Sequence, residues 1–475
     1  MGDIAQLNFS DQQASGLEQL AGAPPLIANS LTDLSGTRRS RPGISAWSSF
    51  PAQIPNSSPV MAMTPLGDLI VYVTADRRLW SCTTDGVVTA LSNGTLASML
   101  DGTLRPQVLS LRSQVVIVGG GVPQATDGTG TSARLGGSPP ASSAIAALAT
   151  RIILAPWDTS GIFRWSGLGD TGHATWDALD FAEAEAKPDY NQNIASNTNE
   201  LFVFGTETLQ VFSPDPNVAF APGRTLNIGL LAPSSLVNVD DQFAFLDRDR
   251  RFVITDGRSF SDEDSVISKT IESDIRGMVT VDDCWGFRMR TGRWDACVWF
   301  FPTEGRGFVW NRRNRGWSEW RARGMTGWIS PNITSALYWP EQNLFLVGLS
   351  SGQIAKLDAD AFTDLGEPLR VELISGFADS GTQNLKKYIA AKFRFKRGQA
   401  AQGSTVPKVS VYRRTDLGSW GDPTVRDMGL AGDYEPVVEI RSLGTGRQIQ
   451  FKLEYEAAAE FTLVGATIET QTLDN

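Results

Sequence analysis

The stretch ELFVFGTETLQVFSP, Glu200–Pro214, reads as two short apolar strands around a tight turn. Leu201–Phe204 is apolar at every position, as expected of a strand covered on both faces. Gly205 and the polar run Thr206–Thr208 break it, and Leu209–Phe212 resumes it. The same event recurs along the chain: DLIVYVTADRRLWSC from Asp68, SQVVIVGGG from Ser113, TRIILAPWDTSGIFRWS from Thr150, QFAFLDRDRRFVITDG from Gln242, ACVWFFPTEGRGFVWN from Ala296 and NLFLVGLSSGQIAKLD from Asn343. Successive starts lie 37 to 54 residues apart. That loose period is the one expected for propeller blades of four strands each. A single hairpin cannot bury two faces alone, whereas small sheets stacked around an axis bury each other and leave only short outer edges. The second hairpin is the weakest, because the Gly/Ser/Thr/Pro-rich stretch Gly119–Ser143 interrupts it.

Beyond about Gly366 the pattern changes. LRVELIS, YIAAKFRFKRG, KVSVYRRT, PVVEIRS, IQFKLEYEA and FTLVGATIET are alternating strands. Phe393 and Phe395 share one face with Lys392, Arg394 and Lys396 on the other, and Phe451, Leu453 and Tyr455 alternate with Lys452, Glu454 and Glu456. Strands with one polar face suggest a β-sandwich. The expected fold is therefore all-β: a propeller of six or seven blades over 44–366, then a C-terminal sandwich over 367–475. The Gly and Pro of Asp364–Pro368 mark the linker. Residues 1–43 read as an extended arm. One short helix is expected at Ser261–Met278, where Val266, Ile267, Thr270, Ile271 and Ile275 fall at helical spacing.

Composition narrows the function. The 475 residues carry a formal charge of −10, a poor balance for wrapping nucleic acid tightly. Cys82, Cys284 and Cys297 are odd in number and far apart, so they form neither a disulfide framework nor a zinc site and are expected as reduced, buried thiols. No apolar run is long enough for a membrane helix, and the first residues show no signal-peptide pattern. Gly 46 and Trp 14 fit many tight turns between aromatic strands.

Candidate chemistry is sparse. The single histidine, His173, lies in GLGDTGHATWD, where it reads as a loop-packing residue rather than a catalytic one. Gly121–Gly137 is glycine-rich but lacks the lysine of a phosphate-binding loop and the spacing of a dinucleotide site, so it reads as a mobile loop. Paired carboxylates of a glycosidase cannot be singled out among so many acids, and the repeated turn motif of sialidase blades has no clean copy. The chain is expected to be no enzyme and to need no cofactor or metal. NRRNRGWSEWRARG interleaves Arg312, Arg313, Arg315, Arg321 and Arg323 with Trp317 and Trp320. Such a mixture can bind nucleic acid or sugar, but Trp and Arg are also favoured anchors of protein interfaces, and the interface is the preferred reading. Lys386 and Lys387 open a second basic run, Lys386–Gly398, read as a solvated face or a lysine-protected edge that could also meet a partner.

Several stretches, in order, resemble the packaged-DNA stabilisation, or tail hub (nozzle), family of short-tailed bacteriophages. They are LTDLSGTRRSRPGIS ending at Ser45, ELFVFGTETLQVFSPDP (Glu200–Pro216), SVISKTIESDIRGM (Ser265–Met278) and GRQIQFKLEYEAAAEFTLVGATIET (Gly446–Thr470). The resemblance covers about residues 30 to 472 and departs in the loops, notably Gly119–Ser143. It implies a virion protein of the tail, assembled in the host cytoplasm. It implies a six-fold homo-oligomeric ring below the portal and its adaptor, prolonging the DNA channel. Such a ring retains packaged DNA and lets it pass without specific binding, and it docks tail fibres, spikes or a needle; no membrane insertion is implied. The rival readings are a carbohydrate-binding or glycoside-cleaving propeller of a phage tail and a cellular scaffold propeller.

Overall fold

The computed structural model describes residues 3–9, 13, 24–33, 36–47, 50, 57–96, 98–99, 104–158, 160–184, 187, 189–291, 293–324, 327–329, 331–396, 406–429 and 437–473. Among the described residues, seven antiparallel units built on consecutive strands follow one another along the chain as blades 1 to 7. Every expected hairpin but that from Ser113, which holds only the second strand of blade 2, supplies the second and third strands of one blade: in blade 4, Leu201–Gly205 and Leu209–Asp215 lie between Asn191–Ser196 and Ala219–Leu226. First strands of most neighbouring blades, from blade 7 through blade 4 and again in blades 5 and 6, lie side by side. The protein is a seven-bladed β-propeller.

Why the strands read as unbroken apolar runs is visible in where alternate residues go. Leu201 and Val203 pack into the core shared with blade 3, while Phe202 and Phe204 pack into the core shared with blade 5. The same division holds in blade 2, where Val115 and Ile117 face blade 1 and Val116 and Val118 face blade 3. Strand side chains alternate between faces, and here both faces are cores.

Blade 7 is closed by the chain's early segment. Gly43–Ala46 pairs antiparallel with Ile354–Asp358, with Ile44 opposite Leu357. Thr363–Asp364 and Glu367–Pro368 form a small hairpin beside it, and its turn residues Leu365 and Gly366 have φ of 53° and 98°. The segment that changes strand pattern is thus a tight turn tied to the last blade rather than a loose tether.

The C-terminal strands form two sheets around one core that includes Phe393, Phe451, Leu453 and Phe461. One holds Lys386–Phe395, Val437–Gly446 and Thr462–Thr472; the other holds Arg370–Ile374, Lys408–Thr415, Thr424–Asp427 and Ile449–Glu456. The second sheet is hydrogen-bonded through to blade 6.

Two expectations need correction. The first 43 residues, expected as an extended arm rather than a packed unit, pack into the sheets where they are described. Asp3–Gln6 and Arg38–Ser40 pair with Thr462–Thr472, and Leu26–Ala28 fills the slot between Gly316–Trp320 of blade 6 and Arg370–Ile374. Two sheet edges would otherwise bury unpaired backbone groups, and Leu7, Phe9 and Ile27 enter the C-terminal core. The helix expected at Ser261–Met278 shrinks to a 3₁₀ turn, Lys269–Ile271, and one α-turn, Glu272–Arg276. Blade 5 has only three strands of its own, and Val266 and Ile267 are drawn alongside Phe252 and Val253 as its outer edge. Tertiary pairing overrides local helical spacing here.

Candidate interaction surfaces and the axial cavity

The basic and aromatic segment 311–324 divides into a core half and a surface half. Gly316–Trp320 is the fourth strand of blade 6 and is buried throughout. Trp317 lies in the core of blades 5 and 6, its ring 5.5 Å from that of Phe252 and its Nε1 donating to the Ile267 carbonyl. Trp320 is 1% exposed, and the Arg41 guanidinium stacks 4.4 Å from its ring centre. These tryptophans are therefore not surface anchors, because blade 6 is covered on both faces.

Two of the five arginines, Arg312 and Arg321, are neutralised by carboxylates of the chain. Arg312 pairs with Asp295 at 2.8 Å and with Asp240 at 3.2 Å, and both carboxylates also bind Arg288. Hydrogen bonding to Arg288 holds Asp240 below the ordinary carboxylate range. Burial pushes Asp295 upward, but Arg288 and Arg312 outweigh it and its pKa falls as well. Arg321 binds Glu319 through its Nε and faces the Trp328 ring. Arg323 lies in the strand Ala322–Gly324, and its side chain is outside the described residues. Arg313, which donates to the Arg293 carbonyl, and Arg315, in the hairpin turn at φ 55°, are exposed.

Lys386 is buried, its ammonium donating to the carbonyls of Thr382, Asn384 and Arg447. It is a structural clamp, not a surface charge. Lys387 is exposed on the outer sheet face with Lys392, Arg394 and Lys396. A register shift between Tyr388 and Ala390 puts both Ala390 and Ala391 inside, which returns Lys392 to the same outer face as Lys387.

A cavity of about 690 Å³ opens at one end of the propeller axis and is lined from blades 1 to 6, by residues such as Met61, Gln107, Trp157, Tyr190, Pro233 and Asp283. Arg105, just before the first strand of blade 2, crosses it. Its guanidinium lies 4.2 Å from the centre of the Trp285 ring in blade 6 and donates to the Thr334 carbonyl in blade 7. Among the described residues no carboxylate pairs with it. Burial lowers its pKa to about 9, which leaves it cationic at neutral pH. Gln107 donates to Asn193 of blade 4 at 3.1 Å and accepts from the Ile145 amide of blade 3. Asn193 in turn donates to the Pro233 carbonyl. Polar side chains thus cross the axis and tie non-adjacent blades together. No linear motif signals this, because each blade contributes only one or a few residues.

The remaining candidates are quiet. His173 is 5% exposed, with Nε2 3.2 Å from the Thr150 carbonyl and Nδ1 3.4 Å from the Gln114 amide, so it packs its loop. The glycine-rich stretch is not a mobile loop in its described part: Gln124–Thr126 and Ala133–Arg134 are the third and fourth strands of blade 2. The three cysteines are free and buried. Among the described residues no group of three His, Cys, Asp or Glu is placed to hold a metal ion, and no helix is long and apolar enough to cross a membrane.

Comparison with known families matches residues 54–276 to the family described as Bacteriophage P22 Gp10, beta-propeller. Curated proteins give no match. Similar solved structures include the WD40 β-propeller domain of Doa1, at 11% identity, covering 66% of this chain and 96% of that one, with a TM-score of 0.42. The computationally designed Ika8 protein is similar at 13% identity, 67% and 99% coverage and a TM-score of 0.41. BamB from Moraxella catarrhalis is similar at 12% identity, 75% and 98% coverage and a TM-score of 0.41.

Proposed function

From a chain whose residues 54–276 belong to the P22 Gp10 β-propeller family of phage structural proteins, we propose a tail hub: a ring of copies that extends the portal–adaptor channel of a short-tailed phage, retains packaged DNA and docks fibres, spikes or a needle. The family match carries this reading. The propeller's own axis supports one detail of it. Arg105 and the Gln107–Asn193 hydrogen bond cross that axis, which leaves no path for a duplex through a single propeller. The conduit is the space enclosed between copies.

Charge fits a path that does not grip DNA. Every phosphate neutralised by Lys or Arg adds affinity and would slow ejection. The chain carries a formal charge of −10, and the arginines nearest a basic patch are paired internally at Arg312 and Arg321. The exposed cations Lys387, Lys392, Arg394 and Lys396 share one sheet face, which suits an acidic neighbouring tail protein and speeds docking.

Electron microscopy of the purified protein and of phage tails tests the proposal. A six-fold ring between the adaptor and the distal tail is expected. A protein that stays monomeric and is missing from the tail overturns it. In a duplex-DNA titration at physiological salt, binding should be weaker than micromolar. The triple substitution Lys387→Glu, Lys392→Glu and Arg394→Glu should leave the fold intact and block joining to the tail.

A further inference from the structure

The axial cavity has a chemical character that a purely architectural protein does not require. Its mouth shows two aromatic rings to solvent, Trp157 at 50% and Tyr190 at 43% exposure. Around them stand planar polar side chains. Arg105 lies over Trp285 and donates to the Thr334 carbonyl, with no carboxylate partner among the described residues. Asp158 uses one carboxylate oxygen on the Ser160 amide. Asp283 receives the Thr303 amide on Oδ2, while its Oδ1 is buried with no partner among the described residues. Gln192 completes the rim.

These groups select among ligands. A simple anion would be attracted by Arg105 but repelled by the aspartates, and a simple cation the reverse. An apolar ligand would bury the guanidinium and the carboxylates without partners, at a large desolvation cost. A hydroxyl group both donates and accepts. A ring bearing several hydroxyls can therefore accept from Arg105 and donate to Asp158 and Asp283 at once, while its C–H face covers an aromatic ring. We propose that this cavity binds a saccharide, seated on Trp157 and Tyr190 and hydrogen-bonded by Arg105, Asp158, Gln192 and Asp283. A volume of about 690 Å³ falls inside the roughly 300–1,000 Å³ range of small-molecule sites, so the ligand is a short unit and not a long chain. The site binds; no hydrolysis is implied. The inference is independent of the tail-hub proposal, since a monomer would carry the same cavity.

The test is a glycan array carrying hexoses, hexuronic acids and N-acetylhexosamines, probed with the purified full chain, followed by calorimetry on the strongest hit. Binding is expected, and Trp157→Ala and Tyr190→Ala should each weaken it at least about tenfold. Both side chains are exposed, and an unchanged circular dichroism spectrum and thermal midpoint exclude misfolding as the cause. Arg105→Lys keeps the charge but removes the planar fork, and should weaken binding as well. No glycan above background overturns the proposal. So does a hit whose affinity is unchanged in both aromatic variants, or capture of peptides from an overlapping peptide array with no glycan bound.

Discussion

Ala28 lies opposite Glu319 in parallel register. Residues 291 positions apart thereby join blade 6 to the C-terminal strands in one continuous hydrogen-bonded sheet. The neighbouring amides reinforce the joint: Asn29 donates to the Glu319 carbonyl at 2.8 Å, and the Gln13 side chain donates to the Glu319 carboxylate at 2.8 Å. Propeller and C-terminal unit are coupled by backbone bonds, not by a flexible tether.

Glu319 is the charged centre of that joint. Its carboxylate is 2% exposed and binds Arg306 at 2.9 Å and Arg321 at 2.6 Å. Burial pushes its pKa up, but Arg321 and Arg306 outweigh that and hold it below the usual value. Removing one partner of a buried pair leaves the other charge uncompensated and costs about 3–5 kcal/mol. Glu319→Gln should lose about 3 kcal/mol, because the amide still offers one acceptor. The urea midpoint measures it, and a loss under about 0.5 kcal/mol, the size of an ordinary surface substitution, would contradict this role.

Ring closure depends on Gly43–Ala46. Ile44 is 2% exposed and packs in the core between blades 6 and 7. Ile44→Ala should cost about 3 kcal/mol through lost burial and the cavity left behind. Hydrogen exchange should quicken first in Leu344–Leu349 and Ile354–Asp358, the strands of the blade it closes. Uniform protection across all blades would show that closure does not rest on this strand.

The four-residue cluster of Arg288, Arg312, Asp240 and Asp295 sets an acid limit. Both aspartates have folded pKa values below that of an ordinary aspartate. Their contribution is therefore complete above the unfolded pKa and is lost as pH falls through the lower folded values. Arg288→Met raises both folded values, so acid unfolding should begin at higher pH than in the wild type. Tryptophan fluorescence during acid titration follows it, and superimposable curves would refute the linkage.

The thiols should be silent. Burial raises Cys82 and Cys297 to about 12 and Cys284 well above its ordinary value. A thiol reagent reacts with the thiolate, so the native protein should label at none of its 3 cysteines and the denatured protein at all of them. Rapid labelling of the native chain would show that a blade opens.

The propeller was legible because its strands are buried on both faces. A run such as Leu201–Phe204 feeds two cores in alternation, so local composition alone marks a blade, and the hairpin spacing marks their repetition. Alternation in Lys386–Phe395 likewise marked one polar and one buried face. What the sequence could not carry is partnership at long range. Trp317 and Arg313 are four residues apart in one segment, yet one is core and the other surface, because blade 5 covers the strand and leaves the turn. Leu26–Ala28 reads as part of an extended arm until the edge of blade 6 gives its backbone a partner. The axial cavity draws one to three residues from each of six blades, and only closure of the ring brings Arg105 to Trp285. Hydrophobic period is a local property and survives in the sequence; the pairing of edges and the convergence of side chains on an axis depend on distances that exist only once the chain has closed.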